Sequence, residues 1–314
     1  QEIRASDLWN VVIESVHQGA EPGLLMWDNI TRELPANYYP GFECVSTNPC
    51  SEIPLSELDA CRLNTVNLAG FVVNKFTKEA YFDFERFAKV VNAAQRMMDD
   101  ICDLEVEAID KIMSMTGSKS ERSVWQKLKD SCLKGRRTGL GTFGLADALA
   151  QLQLSYDSGA GLEITNSIFE AFRNSAYEAS MEMADERGPF PAWDWELEKD
   201  CPFLQRLPKK LLDRMKKSGR RNIAALTNAP TGSVAIVAFN SSSGIEPVFR
   251  GVYTRRKKIN HDDKDAQVDF IDHLGDKWQE FNVFHRNVAD WIKLKDPNWD
   301  GNTVPDLPKF FTTS

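Results

Sequence analysis

With 314 residues, 42% of them apolar, the chain can bury a sizeable core in one large or two ordinary domains. A net charge of -8 and a pI near 5.2 argue against a general polyanion-binding surface, so no direct nucleic-acid partner is expected. No apolar run approaches the roughly 20 residues that cross a bilayer and no stretch reads as a basic head with an apolar core, which makes a cytoplasmic setting without a membrane partner the expectation by default.

In chain order, Trp9, Val12, Ile13 and Val16 fall on one face of an opening helix with Ser6 as its N-cap. Residues 21 to 48 are rich in glycine, proline and aromatics without a sustained period, the pattern of a long structured loop. Thr65 to Val73 suits a short strand or buried turn. Phe87, Val90, Val91, Ala94, Met98 and Ile101 then mark a helix whose methionines fill the core. Further helices are predicted over 142–152, over 162–186 with a stop near Gly188-Pro189, and from Pro208 to Gly219. Asn222 to Thr227 reads as a buried strand running into Ala229-Pro230-Thr231-Gly232-Ser233. Helices interleaved with short buried strands favour a mixed α/β class. The chain reads as a single domain, 1–314, in which 255–314 carries only weak periodicity. The basic clusters Lys134 to Arg137 and Arg255 to Lys258 read as solvated faces.

Six cysteines without a CxxC pair and four histidines without ligand spacing predict no metal site. Cysteines in a chain of this kind are buried small hydrophobes or catalytic thiols. Around Cys50 the second reading gains weight. In Asn48-Pro49-Cys50-Ser51-Glu52 an extended loop would turn an amide, a thiol and a carboxylate to one side, Pro49 restricts Asn48 to extended geometry, and Cys61 adds a second thiol a short way on. Gly139-Leu140-Gly141-Thr142-Phe143-Gly144 has the GxGxxG spacing but no buried strand before it, so its glycines read as close packing ahead of a helix. Pro230 to Val234, between a strand and a helix, would offer backbone amides suited to phosphate, or form an ordinary turn. Asn240 to Gly244 by itself reads as a polar linker.

Together these segments resemble the large catalytic subunit of ribonucleotide reductase, in its class II, adenosylcobalamin-dependent branch. The likeness rests on Asn48 to Leu55, on Cys61 with Asn67-Leu68, on Arg137 to Asp147 and on Ala229 to Phe249, and it fades beyond Arg256. It implies an α/β fold that is part of a ten-stranded barrel, with an interior finger loop carrying the radical cysteine. By this resemblance Cys50 becomes the thiyl radical, Glu52 takes the substrate 3′-hydroxyl proton, Asn48 binds the substrate hydroxyls, and Cys61 is one of the reducing thiols. Pro230, Thr231, Gly232, Ser233 and Val234 hold the phosphates of a ribonucleoside di- or triphosphate. Adenosylcobalamin and an external dithiol reductant such as thioredoxin are the implied cofactor and partner. The choice of class II rests on Ser242 to Phe249 and Tyr253-Thr254-Arg255-Arg256.

Family members carry a further reducing cysteine and further strands before and after the region matched, and Cys44 lies too near Cys50 in sequence to serve as that cysteine. The expectation is therefore a middle section of the enzyme, from a split gene, a processed precursor or a truncation, inactive without complementary segments. Two other readings stay open. A thiol-nucleophile transferase requires His261, His273 or His285 near Cys50, and a non-catalytic nucleotide-binding or assembly subunit requires only the binding turn.

Overall fold

The computed structural model describes residues 2–239, 241–260 and 266–311. Its elements run α1 (Ala5–Gly19), α2 (Trp27–Glu33), β1 (Ser46–Thr47), β2 (Pro54–Leu55), β3 (Asn64–Asn67), β4 (Val72–Val73), β5 (Tyr81–Phe82), α3 (Phe84–Met115), α4 (Lys119–Gly135), β6 (Leu140–Phe143), α5 (Leu145–Gln151) and α6 (Gly159–Arg187). There follow α7 (Trp195–Glu198), α8 (Pro202–Gln205), α9 (Lys209–Ser218), α10 (Ser233–Val237), β7 (Val252–Lys258), β8 (Phe270–Ile271), β9 (Lys277–Phe284) and α11 (Arg286–Lys295).

The scaffold is a parallel arc. β3 pairs with β6 from Asn64↔Leu140 to Asn67↔Phe143, and Leu140 bridges in parallel to Leu226. The predicted strand at 222–227 is thus a single-bridge strand: Leu140 N–H donates to Ala225 O and Thr227 N–H to Leu140 O, each at 2.9 Å. Parallel neighbours need long crossovers. α3 and α4 connect β3 to β6, and α5 to α9 connect β6 to the third segment.

α3 begins where the Asp83 side chain accepts from Arg86 N–H at 3.0 Å. Its buried Phe87, Val91, Ala94, Met98 and Cys102 recur at helical spacing, and the first four share a cluster with Ile168, Phe172 and Ala176 of α6. Phe71, Phe82 and Phe87 pack edge-on or tilted in the same cluster. α6 starts at a Ser158 cap and stops at Gly188, whose φ of +83° suits glycine.

The glycine-rich stretch is packing, as its residues suggest. A Cβ on Gly139 would lie 2.6 Å from the Arg62 carbonyl, and Gly144, at φ +75°, sits equally close to the Asn67 amide oxygen. The middle of that stretch is itself β6, so α5 starts at Leu145 and not at 142.

Other expectations need correction. α1 forms, but Arg4 occupies its N-cap position and Trp9, Ile13 and Val16 are exposed, because no described element covers that face. α4 escapes the periodicity because its buried residues are only Cys132 and Gly135. The Lys134 to Arg137 cluster is not a solvated face: Arg136 and Arg137 are buried against carboxylates. Arg255 to Lys258 do lie exposed, along β7 of the ribbon β7–β9–β8.

Candidate active site

The cysteine loop is the end of a short antiparallel hairpin. β1 and β2 pair as Ser46↔Leu55 and Thr47↔Pro54, and Asn48 N–H donates to Ile53 O at 3.1 Å. The tip is not extended as expected. Ser51 N–H closes a turn onto Asn48 O at 2.9 Å, Pro49 and Cys50 form its corner, and Ser51 takes φ +68°. Alternation therefore does not align Asn48, Cys50 and Glu52; what they share is proximity to Cys61.

Asn48 is buried, and its side chain works at both ends. Its Oδ1 accepts from Ile53 N–H at 2.9 Å, which fixes the amide so that Nδ2 donates to Cys61 Sγ at 3.5 Å. Cys61 is exposed as a residue, but partial desolvation of its sulfur by the neighbouring chain pushes the thiol up, the Glu52 carboxylate adds to this, and the Asn48 hydrogen bond offsets only part. These surroundings favour the neutral thiol over the thiolate. Glu52 is anchored through its backbone, where Thr227 Oγ1 donates to its carbonyl at 2.7 Å. Its Oε2 is buried and, among the described residues, has no hydrogen-bond partner. A shielded carboxylate oxygen of this kind is suited to a ligand hydroxyl.

Cys50 is exposed at the tip, whereas the resemblance implies an interior loop. The reason is geometric: β3, β6 and the segment at Leu226 form one arc of wall, with the hairpin on it, and no described strand closes the other side. Cys44 is buried with Sγ donating to Ser46 O at 3.3 Å, and Cys102, Cys132 and Cys201 are buried too.

The turn at 230–234 reaches the hairpin through the strand that carries Thr227. Gly232, at φ +43°, precedes α10, and Ser233 and Val234 are exposed. Its amides are not all free, as the sequence suggested. Thr231 and Gly232 N–H both donate to Ser243 Oγ at 3.1 Å, and Val234 N–H donates to Thr231 O at 2.8 Å. Pro230 has no N–H to offer. The serine hydroxyl oxygen stands where an anion would accept.

Ser243 was hidden in the apparent linker 240–244, of which Asn240 lies outside the described residues. That loop is tied to the scaffold: Ser242 N–H donates to the buried Asp147 carboxylate at 2.6 Å and Asn287 Nδ2 donates to its other oxygen at 2.7 Å. His285 Nδ1 lies 3.5 Å from Asp147, which gives this histidine its own carboxylate. His261 falls outside the described residues. A cleft of about 960 Å³ runs between α6 and 224–228; Pro54 and Thr227 line it, but Asn48, Cys50, Glu52 and Cys61 do not.

The site is thus a parallel α/β wall bearing a hairpin with an exposed thiol, a second thiol beside it and a shielded carboxylate. The family model for the ribonucleotide reductase barrel domain matches residues 1–280, and the chain belongs to that family. A vitamin B12-dependent ribonucleoside-diphosphate reductase from Thermoplasma acidophilum is 33% identical over 261 residues, covering 81% of this chain and 28% of the relative. The enzyme of that name from Mycobacterium tuberculosis is 31% identical over 252 residues, 80% of this chain and 30% of its own. In structure, the class Id ribonucleotide reductase alpha subunit of Actinobacillus ureae superposes with a TM-score of 0.57 at 19% identity, over 78% of this chain and 40% of that one. That likeness supports the fold. The chain spans under a third of the length of these two curated relatives.

Proposed function

We propose that this chain is the section of a ribonucleotide reductase that carries the radical loop, and that it reduces ribonucleotides together with complementary segments of the same enzyme. The observation that carries the reading is the hairpin itself: Asn48 Nδ2 on Cys61 Sγ, with a Glu52 Oε2 that has no partner among the described residues a few residues on. In this reading Cys50, as a thiyl radical, removes the 3′-hydrogen and Glu52 accepts the 3′-hydroxyl proton. The 2′-hydroxyl leaves as water with a proton from one of the two reducing thiols, the other thiol proton goes to C2′, and at the end Cys50 returns its hydrogen to C3′ and Glu52 its proton to the 3′-oxygen. Cys61 and a second thiol supply the two electrons and become a disulfide, which an external dithiol such as thioredoxin reduces. Asn48 orients the hydroxyls, and Thr231 to Val234 take the phosphates once these displace the Ser243 hydroxyl from its two amides.

The substrate class follows the relatives' names, ribonucleoside diphosphates, as does adenosylcobalamin. Cys50 stands exposed at the hairpin tip, where a bulky cofactor can approach its sulfur, so the residues present fit that group. Bound there, adenosylcobalamin would supply the radical that Cys50 requires. A cytoplasmic location is consistent with a structure in which no described helix is long and apolar enough to cross a membrane.

The test is Cys50→Ser in the complete enzyme. Deoxynucleotide formation is expected to vanish while nucleotide binding by calorimetry is kept. Reduction at the normal rate by the serine variant would sink the proposal.

A further inference from the structure

Asn48 restrains the Cys61 sulfur, but something must also fix the backbone from which it hangs, since residues 56–62 form neither helix nor strand. Asp59 is the centre of that segment. Its Oδ1 accepts from Ala60 N–H at 2.8 Å and faces Arg62 Nη1 at 3.5 Å; its Oδ2 accepts from Ser56 Oγ at 3.3 Å and from Arg137 Nε. One carboxylate therefore gathers the start of the segment, the residue before Cys61, the residue after it and the chain entering β6.

Arg62 extends the cluster. Its Nη1 donates to the Arg137 carbonyl at 3.0 Å, and Nε and Nη2 form a fork on Glu105 of α3, with Nη2 at 2.9 Å. The Asp59, Arg62 and Arg137 side chains are each at most 4% exposed. Buried charges of opposite sign in such contact fix geometry tightly, because moving either partner leaves an unpaired charge in a low-dielectric site.

We propose that Asp59 is a positioning residue for the redox thiol: through Ser56, Arg62 and Arg137 it sets Cys61 against Asn48 on the finger hairpin. The inference rests on the reading of Cys61 as a reducing thiol and names the residues that place it. Asp59 touches no reacting atom. Beside the Asn48 amide, the titratable and charged groups acting on the Cys61 sulfur include Cys50 and Glu52 from the hairpin and Arg62 from its own segment.

The test is site-resolved alkylation of the full chain with iodoacetamide, read by mass spectrometry at each cysteine. In Asp59→Asn the freed segment is expected to raise the Cys61 rate about fivefold at neutral pH and to move its pH profile toward that of an ordinary thiol. Cys50 should react as before, and the buried Cys102 and Cys132 should stay protected, which separates release of the segment from unfolding. Ser56→Ala removes one contact and should raise the rate about twofold. An unchanged Cys61 rate and profile in Asp59→Asn, even with a lowered Tm, overturns the proposal. If that variant does not fold, the same null result in both Ser56→Ala and Arg62→Lys overturns it. Failure of the broader reading would appear elsewhere, as normal nucleotide reduction by Cys61→Ser, and would leave the alkylation result standing.

Discussion

Two basic stretches, Lys134 to Arg137 and Arg255 to Lys258, carry similar charge and meet opposite environments. In the first, Arg136 and Arg137 are at most 3% exposed, with Nε of Arg136 at 2.7 Å from Asp99 and Nε of Arg137 on Asp59. In the second, Arg256 and Lys258 pair with Glu280 and Asp276 at the surface of a ribbon, with both basic side chains more than half exposed. Carboxylates face both stretches; what differs is how deeply the pairs are covered. Helix α3 presents Asp99 and Asp103 to Arg136, and the segment before Cys61 presents Asp59 to Arg137. Charge thus becomes part of the wall behind the cysteine hairpin in one place and remains solvation in the other.

The comparison breaks first at Arg136. Arg136→Ala leaves Asp99, itself fully buried, short of its main partner, and loss of one member of a buried pair costs about 3–5 kcal/mol. The expected result is a large fall in the urea midpoint at an unchanged slope. A midpoint within error of the parent would mean that Arg187, Arg221 and Asn222, which also reach Asp99, suffice without it.

The same contacts set an acid limb. Burial alone would raise the Asp99 carboxyl, but hydrogen bonds and charge from Arg136 and Arg221 outweigh it and hold the group below its usual 3.8. With a depressed folded value, the stabilisation is complete above 3.8 and is lost as pH falls through the lower value. Asp99→Asn should therefore be less stable at neutral pH yet lose less on acidification. Parallel acid limbs in denaturation series of the two proteins would contradict this.

These partners also explain what the sequence could and could not reveal. Phe87, Val91, Ala94 and Met98 announce α3 because burial follows a local period, and Asn48-Pro49-Cys50 with Glu52 stands out because its residue types are rare together. Asp59 gives no such sign, since its partner Arg137 lies 78 residues away and only the β3–β6 pairing brings them together. Ser243 looked like linker for the same reason: its hydroxyl matters only once the chain returns at Gly244, whose φ of +48° places it 3.0 Å in Cβ terms from the Ala229 carbonyl. Local pattern reports elements and chemically unusual loops; the groups that position them are chosen by tertiary contact.

The smallest expected effect lies on the ribbon. Arg256 Nε approaches Glu280 at 2.7 Å and the guanidinium lies 4.6 Å from the Phe270 ring centre, yet the side chain is 62% exposed. Water competes for both contacts, and holding a long side chain in one rotamer costs entropy. Arg256→Ala should change stability by no more than about 0.5 kcal/mol, and that change should shrink further in 0.5 M salt. Measured beside Arg136→Ala under the same conditions, a loss of similar size in both would show that exposure does not divide the two stretches. A loss in Arg256→Ala that persists in high salt would instead point to the Phe270 contact, because ring packing is far less sensitive to screening than an exposed ion pair.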